Sequence, residues 1–222
     1  MSRVVFSGPA GRLEGWYHHG TCPWAPVALV LHPHPLQGGT MNNRVTHTLY
    51  RSFAEQGASV LRFNFRGVGS SEGSFGNGDG EIEDAASALD WLRTVNSKNR
   101  PLWVAGFSFG SWVSMQLLMR RPEVSGFISV SPPANLYDFN FLAPCPVSGM
   151  ILYGKKDTIV TEESVDALVR KLNSQRGIQI DYRVLSEADH FYTDHLKEVY
   201  QYAVDHVAAS QQWEQAARAA NG

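Results

Sequence analysis

Short apolar runs rich in Val, Ile, Leu and Phe alternate along the chain with longer amphipathic stretches. A strand covered by helices on both faces reads as a continuous apolar run, so this rhythm predicts a mostly parallel sheet with crossover helices. The runs are residues 27–32, 59–65, 102–107, 127–130, 150–153 and 178–185. Between them the predicted helices are 43–55, 81–95, 108–120 and 162–174, with a long last helix from about 193. In the second, Ile82, Ala85, Ala86, Leu89 and Leu92 recur at helical spacing, and Ala85, Ala88, Leu89 and Leu92 form the stripe facing the sheet. Residues 3–6 and 13–17 flank the Gly- and Pro-containing turn 7–11 and predict an antiparallel hairpin at one edge. The expectation is a single α/β domain over residues 1–222, with about eight strands. The Ala- and Gln-rich segment 211–222 is expected to continue the last helix before fraying.

Composition narrows the functional classes. With 19 Lys and Arg against 21 Asp and Glu, the formal charge is −2, which excludes an electrostatic nucleic-acid binder. At 43% hydrophobic and 18% charged residues the chain is too apolar to remain disordered. Its two cysteines, Cys22 and Cys145, are too few for a disulfide framework or a zinc ribbon and read as free thiols in a reducing compartment. The opening MSRVVFSGPAGRLEG lacks a basic segment followed by an apolar run, and no stretch near 18 consecutive apolar residues follows. The expectation is a cytoplasmic protein with no membrane partner.

Residues 102–110 read LWVAGFSFG, a strand running into Gly106, Phe107, Ser108, Phe109 and Gly110, and SWVSMQLLMR then reads as a helix. A serine on a sharp strand-to-helix turn occupies strained backbone, so the positions two residues either side must be small. Both are glycine. The Ser108 hydroxyl would stand above the sheet edge, with the helix's free N–H groups and positive dipole end facing developing negative charge. The alternative is that the glycines merely close a tight turn.

A serine hydroxyl is a weak nucleophile until a base takes its proton, so this turn calls for a histidine and an acid to orient it. On such a turn the chain order is serine, acid, histidine. After Ser108 the histidines are His190, His195 and His206. The last two fall in the predicted final helix, whereas His190 lies in the loop SEADHFY. Asp157, in GKKDTIV after a strand, reaches the same carboxyl edge. Asp138 follows the preceding strand, and Asp189 sits too close in sequence to face the ring easily.

The run VALVLHPHP ends a strand in His32, Pro33, His34 and Pro35. An oxyanion hole needs a second N–H opposite that of Phe109, and because proline has none, His34 is the natural donor. His32 reads as a buried support of the turn. A metal pair at His32 and His34 is the rival reading, but no further ligands gather at recognisable spacing, and neither metal nor cofactor is implied. FNFRGVGSSEG, with Gly67, Gly69 and Gly73, imitates a dinucleotide-binding loop, yet its third glycine is one place late and no helix starts there. Arg66 reads instead as an anchor for loop carbonyls or a carboxylate.

Taken together, HPHP with GGTMNN, NFRGVGSSEG, GFSFG, GKKD and ADHF resemble the α/β-hydrolase superfamily over nearly the whole chain. The similarity is greatest to small capless hydrolases near the dienelactone-hydrolase group, within a bacterial subfamily of esterase- and peptidase-like enzymes. The resemblance implies Ser108 as nucleophile, Asp157 as acid, His190 as base, and the His34 and Phe109 amides as oxyanion hole. The chain departs from the superfamily at Pro33, commonly Gly, and at Asn64, commonly Asp. Dienelactone hydrolases carry a cysteine nucleophile, so Ser108 argues against that activity.

The segment 131–148 is too short for an independent cap, which predicts an open, shallow site. Phe107, Pro132, Tyr137, Phe139, Phe141, Phe191 and Tyr192 are its expected wall, with Phe107, Tyr137 and Phe191 as substrate contacts. Such a wall favours an uncharged ester or an apolar acyl group in a small-molecule substrate, and an exposed site also admits a peptide-like or thioester substrate. A thioesterase or peptidase of the same fold is the alternative, and an idle binding protein the competing class. The chain is expected to act as a monomer or homodimer, with Trp213 a candidate contact.

Overall fold

A computed structural model describes residues 1–220, with side chains through Ser210. Trp213 and the end of the chain therefore lie outside the described side chains. Among the described residues one sheet holds eight strands, β1 (Ser2–Gly8), β2 (Gly11–His18), β3 (Val27–Leu31), β4 (Ser59–Phe63), β5 (Leu102–Phe107), β6 (Val124–Val130), β7 (Gly149–Gly154) and β8 (Ile180–Leu185), in the order β1-β2-β4-β3-β5-β6-β7-β8. The β1-β2 hairpin lies at one edge; it and the β2-β4 pairing are antiparallel, and the remaining pairs are parallel.

Helices α1 (Arg44–Ala54) and α5 (Leu196–Ala220) cover one face, and α2 (Asp79–Val95), α3 (Phe109–Arg120) and α4 (Glu162–Asn173) cover the other. The period of two along β5 shows how the faces divide: Leu102 and Val104 pack toward α2 and α3, whereas Trp103, Ala105 and Phe107 pack toward α1 and α5. In α2 the predicted stripe of Ala85, Ala88, Leu89 and Leu92 is fully buried. Among the described residues, no helix is long and apolar enough to cross a membrane.

Differences from the sequence expectation lie at element ends, where side chains take over from the backbone ladder. The fourth strand stops at Phe63 because the Asn64 carbonyl accepts from the Ser71 hydroxyl and the Phe65 N–H bonds His32 Nε2. Helix α2 starts two residues early because the buried Glu81 carboxylate accepts the N–H groups of Gly76 and Gly78 at 2.9 and 2.8 Å. The last helix starts at Leu196 rather than near 193, after a turn in which Asp189 accepts bonds from the Thr193 N–H and hydroxyl. β8 is an edge strand, half-exposed over most of its length rather than fully buried.

The carboxyl ends of β3, β5, β6, β7 and β8 share one edge of the sheet. The loops following them carry His34, Ser108, Ser131, Asp157 and His190 respectively. Between β6 and β7, residues 131–148 contain no helix or strand, so nothing there builds a cap.

Candidate active site

Ser108 sits at the junction of β5 and α3 with φ 52° and ψ −120°, a conformation costly for any side-chain-bearing residue. The flanking glycines make it possible. A Cβ on Gly106 would lie 2.2 Å from the Gly110 carbonyl oxygen, and one on Gly110 would lie 2.4 Å from that of Leu31. The turn is fixed from below by the Ser108 N–H, which bonds the Val130 carbonyl at 2.9 Å. The serine hydroxyl has no hydrogen-bond partner among the described residues, and neither has the Phe109 N–H at the start of α3.

Asp157 and His190 are brought together by loops stitched to one another. The Lys155 N–H bonds the Leu185 carbonyl and the Lys156 N–H that of Ala188, both at 2.9 Å. Gly154 lets the loop after β8 approach the end of β7, since a Cβ there would lie 2.5 Å from the Ala188 oxygen. His190 Nδ1 donates to Asp157 Oδ2 at 2.7 Å, and the carboxylate side chain is wholly buried. Burial alone would raise the Asp157 carboxyl pKa. The bond from His190 and those from the Val160 and Ile159 N–H groups outweigh it and hold the group below its ordinary value. The imidazole packs 5.0 Å, centroid to centroid, from the ring of Phe107, the residue before Ser108.

The rival acids are engaged elsewhere. Asp138 accepts the Asn140 N–H, and Asp189 binds Thr193. Of the rival histidines, His195 bonds Glu198 and His206 bonds Asp181.

On the opposite side, His34 follows β3 and its N–H has no partner among the described residues. His32 holds the strand end: Nδ1 donates to the Pro33 carbonyl at 2.7 Å while Nε2 accepts from the Phe65 N–H at 3.1 Å. Both ring nitrogens are thus committed to the backbone, and complete burial pushes the imidazole pKa down to about 4. The loop continues to Met41, whose N–H bonds Asn64 Oδ1 and whose carbonyl accepts from the buried Arg62 guanidinium, at 2.8 and 2.7 Å. Arg66 anchors a carboxylate, as expected, through a forked bond to the buried Asp84.

The expected wall is corrected in part. Phe107 is fully buried on the α5 side because the strand alternation turns it away from the mouth, and there it backs His190 rather than touching substrate. Pro132, Phe139 and Tyr192 are buried as well. Tyr137 is half-buried and Phe191 is 54% exposed, so both have free surface. Two further half-buried rings lie nearby: Trp112 is 4.8 Å from Tyr137, and Phe75 is 4.9 Å from His34. Trp112, four residues past Ser108 on α3, was accessible to helical spacing. Phe75, in a glycine-rich loop, left no such signal.

The fold is that of the α/β hydrolases, and the chain is of the serine-hydrolase class. It belongs to the X-Pro dipeptidyl-peptidase (S15) family, whose model matches residues 21–221. A structure of an Agrobacterium tumefaciens protein of unknown function superposes with TM-score 0.92 at 48% identity, covering 96% of this chain and 98% of that one. A Xanthomonas campestris serine hydrolase described as having no lid superposes with TM-score 0.84 at 30% identity, covering 94% of each chain. An uncharacterized Rickettsia prowazekii protein is 52% identical over 196 residues, 86% of this chain and 82% of that one.

Proposed function

We propose that the protein hydrolyses carboxylic esters through an acyl-enzyme. The observation carrying this reading is the buried Asp157–His190 hydrogen bond at the sheet edge where Ser108 stands in strained backbone. His190 Nε2 takes the Ser108 proton as Oγ attacks the carbonyl carbon. The C=O pair moves onto oxygen, which the His34 and Phe109 amides receive. Collapse breaks the bond to the alcohol, which leaves with the proton held by His190. Water then repeats the sequence on the acyl-serine and releases the acid. Asp157 keeps the proton on Nδ1 and stabilises the imidazolium.

The half-buried rings of Tyr137, Trp112 and Phe75 and the exposed Phe191 favour an uncharged, apolar acyl group. The family match supports a second reading, cleavage of an amide in a peptide. Initial rates on matched p-nitrophenyl esters, acyl thioesters and dipeptidyl p-nitroanilides separate the two. Ester hydrolysis with little anilide cleavage supports the first; dominant release of nitroaniline from the dipeptidyl p-nitroanilides replaces it with the second.

A further inference from the structure

Three of the four non-glycine residues with positive φ among the described residues are Ser108, Ser131 and Tyr192, at 52°, 45° and 52°. The fourth, Asn77, is of a type that tolerates this region. A bulky aromatic does not, and such strain persists only where the surroundings impose it. Tyr192 and Ser131 are both fully buried and hydrogen-bonded to each other, Oη to Oγ, at 2.9 Å. The tyrosine hydroxyl donates to the Leu152 carbonyl at 3.3 Å, so the serine hydroxyl donates to it. Leu152 also receives the Ser131 N–H at 2.8 Å.

These bonds join the two halves of the site. Ser131 directly follows Val130, whose carbonyl holds the Ser108 N–H. At the other end, the Tyr192 N–H bonds the Asp189 carbonyl at 3.1 Å, closing a turn whose two central residues are His190 and Phe191. The tyrosine ring rests on Phe107 at 6.4 Å, and Phe107 in turn backs the His190 ring. The imidazole is thereby referenced to the end of β6, the strand end that also holds the serine.

We infer that Tyr192 is a positioning residue whose hydroxyl, through Ser131, sets where the His190 ring stands relative to Ser108. This rests on the reading of His190 as the base. A base displaced by about 1 Å loses about 10²-fold in rate without any change in substrate contacts. Neither hydroxyl touches substrate.

The test compares Tyr192→Phe, Ser131→Ala and the double variant with the parent, using the best ester substrate, thermal unfolding, and the downfield NMR resonance of the His190 Nδ1 proton. Tyr192→Phe is expected to lower kcat by about 10- to 100-fold, leave KM within about twofold, and shift or broaden that resonance in a protein that still unfolds cooperatively. The double variant should lose little more than either single one, because both remove one link. A folded Tyr192→Phe protein with parental kcat and an unmoved resonance would overturn the inference. So would losses that simply add in the double variant. Fluorophosphonate labelling separates the two levels: a parent protein that resists labelling overturns the hydrolase reading and this inference with it, whereas a labelled parent matched in rate by Tyr192→Phe overturns the inference alone.

Discussion

His190 Nδ1 donates a 2.7 Å hydrogen bond to Asp157 Oδ2, a carboxylate with no solvent-accessible side-chain surface. A carboxylate only accepts, so the bond fixes the imidazole proton on Nδ1 and leaves Nε2 free as a base. Asp157→Asn presents either an oxygen or an N–H2 group and no longer specifies that tautomer. The expected fall in kcat is on the order of 10⁴-fold, with the fold retained; the effect of such a change in the serine-protease triad sets the scale. Steady-state kinetics with circular dichroism check it. Because the Asp157 carboxyl is held below its ordinary value, its contribution to stability is present above the ordinary carboxyl range and is lost as pH falls through the depressed value, well below neutrality.

The two glycines of the elbow differ in kind from exposed loop glycines. Gly106→Ala drives a methyl group to 2.2 Å from a backbone oxygen that cannot move without unwinding α3, and should cost about 3 kcal/mol or more. Gly38 has φ 77° but open space around it, so Gly38→Ala should cost only about 1–2 kcal/mol of backbone strain. Urea midpoints on the two variants measure the difference.

His32 predicts an acid-sensitive fold. Its folded pKa of about 4 lies below the unfolded value of 6.5, so in that window the unfolded chain binds a proton that the native one refuses. Stability is complete above pH 6.5 and declines toward pH 4, by about 3 kcal/mol from this group. His206, also lowered by burial despite Asp181, acts in the same direction. Unfolding free energies between pH 4 and 7.5 should rise with pH, and His32→Gln should flatten that slope.

Asn64, where the superfamily commonly has aspartate, has a local cause. It accepts the Met41 N–H through Oδ1 and donates through Nδ2 to Glu14 Oε1 at 2.9 Å, both within the interior. An aspartate would keep the first bond and set two carboxylates against each other. Asn64→Asp is expected to destabilise by about 1–3 kcal/mol, and Glu14→Gln in the same chain should restore much of the loss. A double-mutant cycle in chemical denaturation measures that coupling.

The sheet, its edge hairpin and the five helices could be read in advance because strands covered on both faces leave continuous apolar runs. The loops bearing Ser108, Asp157 and His190 could be located because each follows such a run. What eluded the reading depended on direction rather than residue type. Phe107 has the composition of a substrate wall, but its place in the alternation of β5 turns it inward. Tyr192 likewise looked like wall, and nothing in FYTDH announces a tyrosine with positive φ bonded to a serine 61 residues earlier. Helix ends shifted where a distant or buried side chain, such as Glu81, supplied the cap.

The proposed chemistry requires an activated hydroxyl at Ser108, and covalent capture reads that activation out. The protein is treated with a fluorophosphonate at neutral pH, its intact mass is measured, and the adduct is located by peptide mapping. One adduct per chain is expected, on Ser108, absent in Ser108→Ala and formed far more slowly in His190→Ala. No adduct on the folded protein, or one on another residue that persists in Ser108→Ala, would contradict it.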